Sequence, residues 1–145
     1  MTQDKEMTIL LIEDDPGHAR LIEKNLTRNH VAHRLIQRTN GQDALNYLRG
    51  EGSEGASGEV LVLLDLNLPG LDGYQVLREI KGDPATRAVP VVILTTTEDR
   101  REVQRCYELG CSLFVTKPVN YEDFLDTLRR LSELLAILKL PNLSP

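Results

Sequence analysis

Five short runs of apolar residues recur along the chain, each followed by a longer segment whose apolar positions return every three or four residues. Uninterrupted runs suit strands covered on both faces, and the longer period suits amphipathic helices. The alternation therefore predicts a parallel sheet with helices on either side, five strands and five helices in all. The first strand is expected at Thr8 to Ile12, followed by Glu13, Asp14, Asp15 and Pro16. Proline suits the first turn of a helix, Asp15 suits its N-cap, and Ala19, Ile22 and Leu26 supply the inward stripe. A second strand is expected at about His33 to Gln37, and Asn40 can cap a helix whose apolar face is Ala44, Leu45 and Leu48.

From Gly50 to Glu59 the chain holds only Gly, Glu, Ser and Ala, which predicts a surface loop rather than a domain boundary. Val60 to Leu64 is the most apolar short run and reads as a central strand, with Asp65 at its C-terminal end. Asp72 suits the cap of a helix around Tyr74 to Lys81, Val91 to Leu94 reads as the fourth strand, and Glu98 to Leu109 as a helix closed by Gly110. Thr97 is the best placed of Thr95, Thr96 and Thr97 to cap it. Leu113 to Thr116 completes the strands. The last helix begins near Tyr121 and carries Phe124, Leu125, Leu128, Leu131, Leu134, Leu135, Ile137, Leu138 and Leu140, a wider apolar face than one sheet contact requires.

At 145 residues, with 41% hydrophobic and 27% charged positions, the chain reads as one folded domain over 1–145, its core at about 8–137 and tails at 1–6 and 138–145. No apolar run approaches the ~18 to 20 residues that cross a bilayer, and the polar start lacks the pattern of a signal peptide. A cytoplasmic protein without membrane association is expected. Cys106 and Cys111, on either side of a predicted helix end, read as small buried hydrophobes, with a redox pair as the alternative. A net charge of −5 without a dense basic run argues against nucleic acid and favours protein partners.

Ligand sites of open α/β sheets lie outside the carboxyl ends of the strands, where these predicted strands end in Glu13 and Asp14, Asp65, Thr95 and Lys117. Each has an ordinary explanation: acids at a helix N-terminus, a carboxylate in a turn, a hydroxyl near a cap, a loop lysine. Three carboxylates at one sheet edge would repel one another unless a cation intervened, and an oxygen-only set suits Mg2+. A carboxylate such as Asp65 attacks phosphorus competently once a metal and a lysine neutralise the incoming charge. Lys117 precedes Pro118, which directs it through an extended or a cis backbone. Thr95 can donate its hydroxyl to a phosphoryl oxygen. Phe114 reads either as a core aromatic or as a ring that rotates inward when Thr95 moves.

LIEDDP, VLLDLNLPGLDG, VVILTTTED and GCSLFVTKPV, in this order and at these separations, resemble the receiver domain of bacterial two-component response regulators, over about Thr8 to Ile137. The resemblance implies a doubly wound, flavodoxin-like sheet of strand order 2-1-3-4-5. It implies Asp65 as phosphoacceptor, Glu13 and Asp14 as the acidic pair, and the Asn67 backbone carbonyl as a further metal ligand. Thr95 and Lys117 would bind the phosphoryl group, Phe114 would be the switch aromatic, and Asn67 and Thr97 would tune the phosphoryl lifetime. LAILKLP at Leu135 to Pro141, the insertion before the third strand and LTTTED resemble the single-domain regulators paired with bacterial and cyanobacterial phytochrome histidine kinases.

The expected activity is Mg2+-dependent transfer from a kinase phosphohistidine to Asp65, the chain catalysing only its own phosphorylation and dephosphorylation. Output would pass by protein contact or onward transfer, with a homodimer through the face of the Glu98 helix, the fifth strand and the last helix. A related phosphatase enzyme would need a second aspartate two residues after the nucleophile, where this chain has Asn67. A receiver-like binding module without phosphorylation would not need the complete set of Glu13, Asp14, Asp65, Thr95 and Lys117.

Overall fold

Parallel pairing organises the residues described by a computed structural model, 7–28, 34–50 and 58–143, into one sheet with helices on both faces. The elements run β1 (Met7–Ile12), α1 (Pro16–Arg28), β2 (Arg34–Arg38), α2 (Gly41–Leu48), β3 (Gly58–Leu64) and α3 (Gly73–Gly82). They continue with β4 (Val91–Thr95), α4 (Arg100–Leu109), β5 (Leu113–Thr116), α5 (Tyr121–Ile137) and β6 (Asn142–Leu143). The strand order is β2-β1-β3-β4-β5, as the resemblance implied. His33, the 1–6 tail and most of the predicted 50–59 loop lie outside the described residues.

The strands are apolar on both sides because two helical layers cover them. Ile9, Leu11, Leu61, Leu63, Val92 and Leu94 pack with Ala19, Ile22 and Leu26 of α1 and with Phe124, Leu128, Leu131 and Leu135 of α5. The alternate positions, Leu10, Ile12, Val62, Leu64, Val91 and Ile93, pack with α2, α3 and α4 through Ala44, Leu48, Val76, Leu77, Ile80 and Cys106. Strand alternation thus divides one hydrophobic pattern between two cores.

Several boundaries differ from the sequence reading. Thr97 does not cap the fourth helix: Asp99 does, accepting the Arg101 N–H at 2.9 Å, so the helix starts at Arg100 rather than Glu98. Thr97 instead donates its hydroxyl to Glu102 and accepts the Asp99 N–H at 3.3 Å. The last helix stops at Ile137, and Leu138 and Leu140 then pack against the α1–α5 core outside any helix. Asn142–Leu143 adds a sixth strand, antiparallel to Gly58–Glu59 at the start of β3, where the sequence reading put only a tail. Of the two backbones weighed for Lys117–Pro118, the cis form is absent, there being no cis peptide bond among the described residues.

Candidate functional site at the carboxyl edge of the sheet

Register brings the chemistry together. Ile12 pairs with Leu64 across β1 and β3, so Glu13 and Asp65 leave adjacent strands at the same level. The Asp65 N–H bonds the Ile12 carbonyl at 3.1 Å, which carries the ladder one step past the strands. Thr95 pairs with Thr116 across β4 and β5, and Lys117 follows at once. Because the central strands are buried on both faces, polar residues at their ends are buried too. Glu13 is 1% exposed, Asp65 7%, Thr95 0% and Lys117 3%.

The Lys117 ammonium is the hub of the site. It donates to Glu13 Oε1, to Asp65 Oδ2 at 3.0 Å, and lies 3.1 Å from Nδ1 of His18. The other carboxylate oxygen of Asp65, Oδ1, accepts the Thr95 hydroxyl and the Asn67 N–H, both at 3.0 Å. Burial opposes ionisation of Asp65, yet the Asn67 N–H and the ammonium outweigh it and hold the carboxyl below its ordinary value. Glu13 is pushed up to about 7, since burial outweighs its contact with Lys117 and the Asp65 charge adds to the effect. One ammonium between two buried carboxylates stabilises one anion fully, and the proton goes to the more deeply buried acid.

Glu13, Asp14 and the Asp65 carboxylate each offer one oxygen within 4.8 Å of the others, with Asp14 exposed to solvent. A purely oxygen donor set with an open side fits a hard divalent cation that keeps several waters. Surrounding this set is a cleft of about 490 Å³ lined by Glu13, Asp14, Asp15, Pro16, His18, Asp65, Asn67, Thr96 and Lys117. Asp15 caps α1 as predicted, its Oδ1 accepting the Gly17 and His18 N–H groups at 2.9 and 3.1 Å.

The geometry therefore gathers Glu13, Asp14, Asp65, Asn67, Thr95 and Lys117. Two positions read from the sequence stand apart from the cleft. Thr97 bonds Glu102 of α4, and Phe114 is half-buried against the α2–α3–α4 core, its N–H donating to the Tyr107 hydroxyl at 3.1 Å. Two residues with no role in the sequence reading, His18 and Thr96, line the cleft. His18 had one available signal, a titratable side chain three residues after an N-cap at a site-forming strand end. Cys106 and Cys111 are free and buried, and burial raises both thiols, Cys106 to about 11.

A buried aspartate, a lysine reaching it and an acidic cluster at the edge of a 2-1-3-4-5 sheet define a receiver, a protein that accepts a phosphoryl group as a signal. Residues 9–129 match the response regulator receiver domain, and the chain belongs to that family of two-component phosphoacceptors. A response regulator receiver domain from Rhodospirillum rubrum is 49% identical and superposes with a TM-score of 0.87 over 95% of this chain and 99% of that one. Response regulator Rcp1 of Synechocystis sp. is 40% identical over 116 residues, 79% of each chain. A Mn(2+)-bound form of response regulator Rcp1 superposes at 0.85, 36% identical, over 92% of this chain and 98% of that one. The phosphorylated cyanobacterial phytochrome response regulator RcpA, also 36% identical, superposes at 0.86 over 94% and 99%. No described helix is long and apolar enough to cross a membrane.

Proposed function

We propose that Asp65 is the phosphoacceptor and that the donor is a histidine kinase of the phytochrome type. The observation that carries the reading is the double hold on one buried carboxylate, Lys117 at 3.0 Å from Oδ2 and Thr95 at 3.0 Å from Oδ1, beside the acidic cluster. The phytochrome partner is supported by the likeness to RcpA over nearly the whole chain.

Mg2+ would be held by Glu13, Asp14, Asp65 and the Asn67 backbone carbonyl, and when bound it would neutralise charge on the transferred group. In the transfer, a carboxylate oxygen of Asp65 forms a bond to phosphorus as the bond from phosphorus to the kinase histidine nitrogen breaks. Lys117 spreads its positive charge over the phosphoryl oxygens, and Thr95 turns its hydroxyl from Asp65 to one of them. Phe114 takes up the space that Thr95 vacates, and the α4–β5–α5 face changes its partner preference, including for a second copy of the chain. Asn67 and Thr97 tune how long the acyl phosphate survives.

Incubation with acetyl phosphate and Mg2+ followed by intact-mass measurement tests the assignment. One phosphoryl adduct is expected on the wild type and none on Asp65→Asn. Equal labelling of the two proteins would discard Asp65.

A further inference from the structure

His18 stands in the cleft without a role in the chemistry above, yet it touches the residue on which that chemistry turns. Its Nδ1 lies 3.1 Å from Nζ of Lys117. An ammonium has three hydrogens and accepts no hydrogen bond, so in a hydrogen bond between these two nitrogens Nδ1 is the acceptor. The three hydrogens of Lys117 are thus shared among Glu13, Asp65 and His18.

These acceptors differ in what the reaction asks of them. Asp65 becomes the acyl phosphate, so its hold on the ammonium passes to a phosphoryl oxygen. Glu13 belongs to the acidic cluster, and its two oxygens accept Lys117 and the Asp15 N–H, the latter at 3.1 Å. His18 alone is neither part of the cluster nor a reacting group. A lysine side chain is a flexible four-carbon stem carrying a point charge, and a neutral acceptor can fix its direction without competing for its charge.

The imidazole is itself held. Its ring meets Phe124 of α5 edge to face, the centroids 5.5 Å apart. Its backbone N–H is fixed to Asp15 Oδ1 at 3.1 Å, which anchors the start of α1 beside the cleft. The edge contact with Phe124 and the anchored backbone of α1 place the ring at the mouth of the cleft, its Nδ1 turned to Lys117.

We propose that His18 is a positioning residue for phosphoryl transfer, acting through Lys117 by accepting a hydrogen bond at Nδ1 throughout the reaction. The proposal rests on the assignment of Asp65 as phosphoacceptor. In the assay reaction an Asp65 carboxylate oxygen bonds to phosphorus, the bond from phosphorus to the acetyl oxygen breaks, and acetate leaves with that electron pair.

The test measures the rate of labelling by acetyl phosphate at saturating Mg2+ for the wild type, His18→Phe and His18→Asn. Phenylalanine keeps an aromatic edge for Phe124 and removes the acceptor, whereas the asparagine amide oxygen can stand where Nδ1 stood. Loss of one hydrogen bond to a charged donor is expected to slow His18→Phe on the order of tenfold, with Mg2+ affinity unchanged and most of the rate recovered in His18→Asn. Equal rates for His18→Phe and the wild type, or His18→Asn as slow as His18→Phe, would overturn the proposal. Nitrogen-15 NMR of the wild type gives a reading that no variant's folding can disturb. An unprotonated Nδ1, with and without beryllofluoride, is expected, and a proton on Nδ1 overturns the proposal. An unlabelled wild type would instead overturn the Asp65 assignment and take this inference with it, whereas a labelled wild type with an indifferent His18→Phe sinks this inference alone.

Discussion

Glu13 and Asp65 are neighbours by register, and the single ammonium between them leaves one acid poorly compensated. Glu13 is the one that holds its proton, up to about pH 7 against 4.5 for an ordinary glutamate. Between those values the folded state binds more protons than the unfolded chain, so stability falls as pH rises through the window, by at most about 1.4 kcal/mol per pH unit. Asp65 shifts the opposite way, downward, so its contribution is present above the usual value of 3.8 and is lost only at lower pH, outside that window. Urea unfolding in EDTA from pH 4.5 to 8 should therefore show declining stability toward neutrality. Glu13→Gln, which keeps an acceptor for Lys117 but cannot ionise, should flatten the decline. The same slope in both proteins would refute the account of Glu13. The five charged and hydroxyl groups of the site were legible as residue types at strand ends. Their burial, and hence the direction in which each acid shifts, followed only from the packing above and below the sheet.

At the scale of elements, α3 is tied to the loop after Asp65 by contact and by its cap. Asp72 accepts the Gln75 N–H and Gln75 returns a bond to the Asp72 N–H, each 2.9 Å long, closing a capping box. Immediately after it, Gly73 donates its N–H to the Leu66 carbonyl at 3.1 Å. A Cβ at Gly73 would lie 2.5 Å from the Leu66 Cα and 2.7 Å from the Asp65 carbonyl oxygen, both backbone atoms that cannot step aside alone. Gly73→Ala is expected to cost about 1–3 kcal/mol of stability and to slow Asp65 labelling as well. Thermal melts and acetyl phosphate kinetics would check both effects, and wild-type behaviour in both would show that the loop has slack. Asp72 as a cap was readable from its place before an amphipathic run. The Asp99 cap was misread as Thr97, because both residues precede the same helix and only the backbone path decides which side chain meets a free N–H.

The whole molecule makes use of the apolar excess that the last helix shows in sequence. Phe124, Leu128, Leu131 and Leu135 enter the core, Leu138 and Leu140 pack on it after the helix has ended, and Leu143 joins the opposite core through β6. Tyr121 and Ile137 remain exposed, at 60% and 75%, together with Tyr107 of α4 at 46%. Of these, Tyr107 stands beside β5, its hydroxyl accepting the Phe114 N–H, and a homodimer through the α4–β5–α5 face would cover it, whereas Tyr121 lines a cleft between α1 and α5. Light scattering across concentration, with and without beryllofluoride and Mg2+, should detect a dimer. A monomer throughout would remove dimerisation from the proposed function while leaving the phosphoacceptor reading intact.

The pattern of apolar runs, by itself, determined the alternation of strands and helices, and that alternation located the chemistry at strand ends, because strand period and helix period are local properties of the chain. Tertiary structure alone decided which ends become neighbours within hydrogen-bond reach, that His18 turns its ring nitrogen to Lys117, and that the segment after Ile137 staples both cores. Those outcomes depend on register and on contacts such as that of Lys117 with Glu13, 104 positions apart, and no local pattern encodes a distance across the sheet.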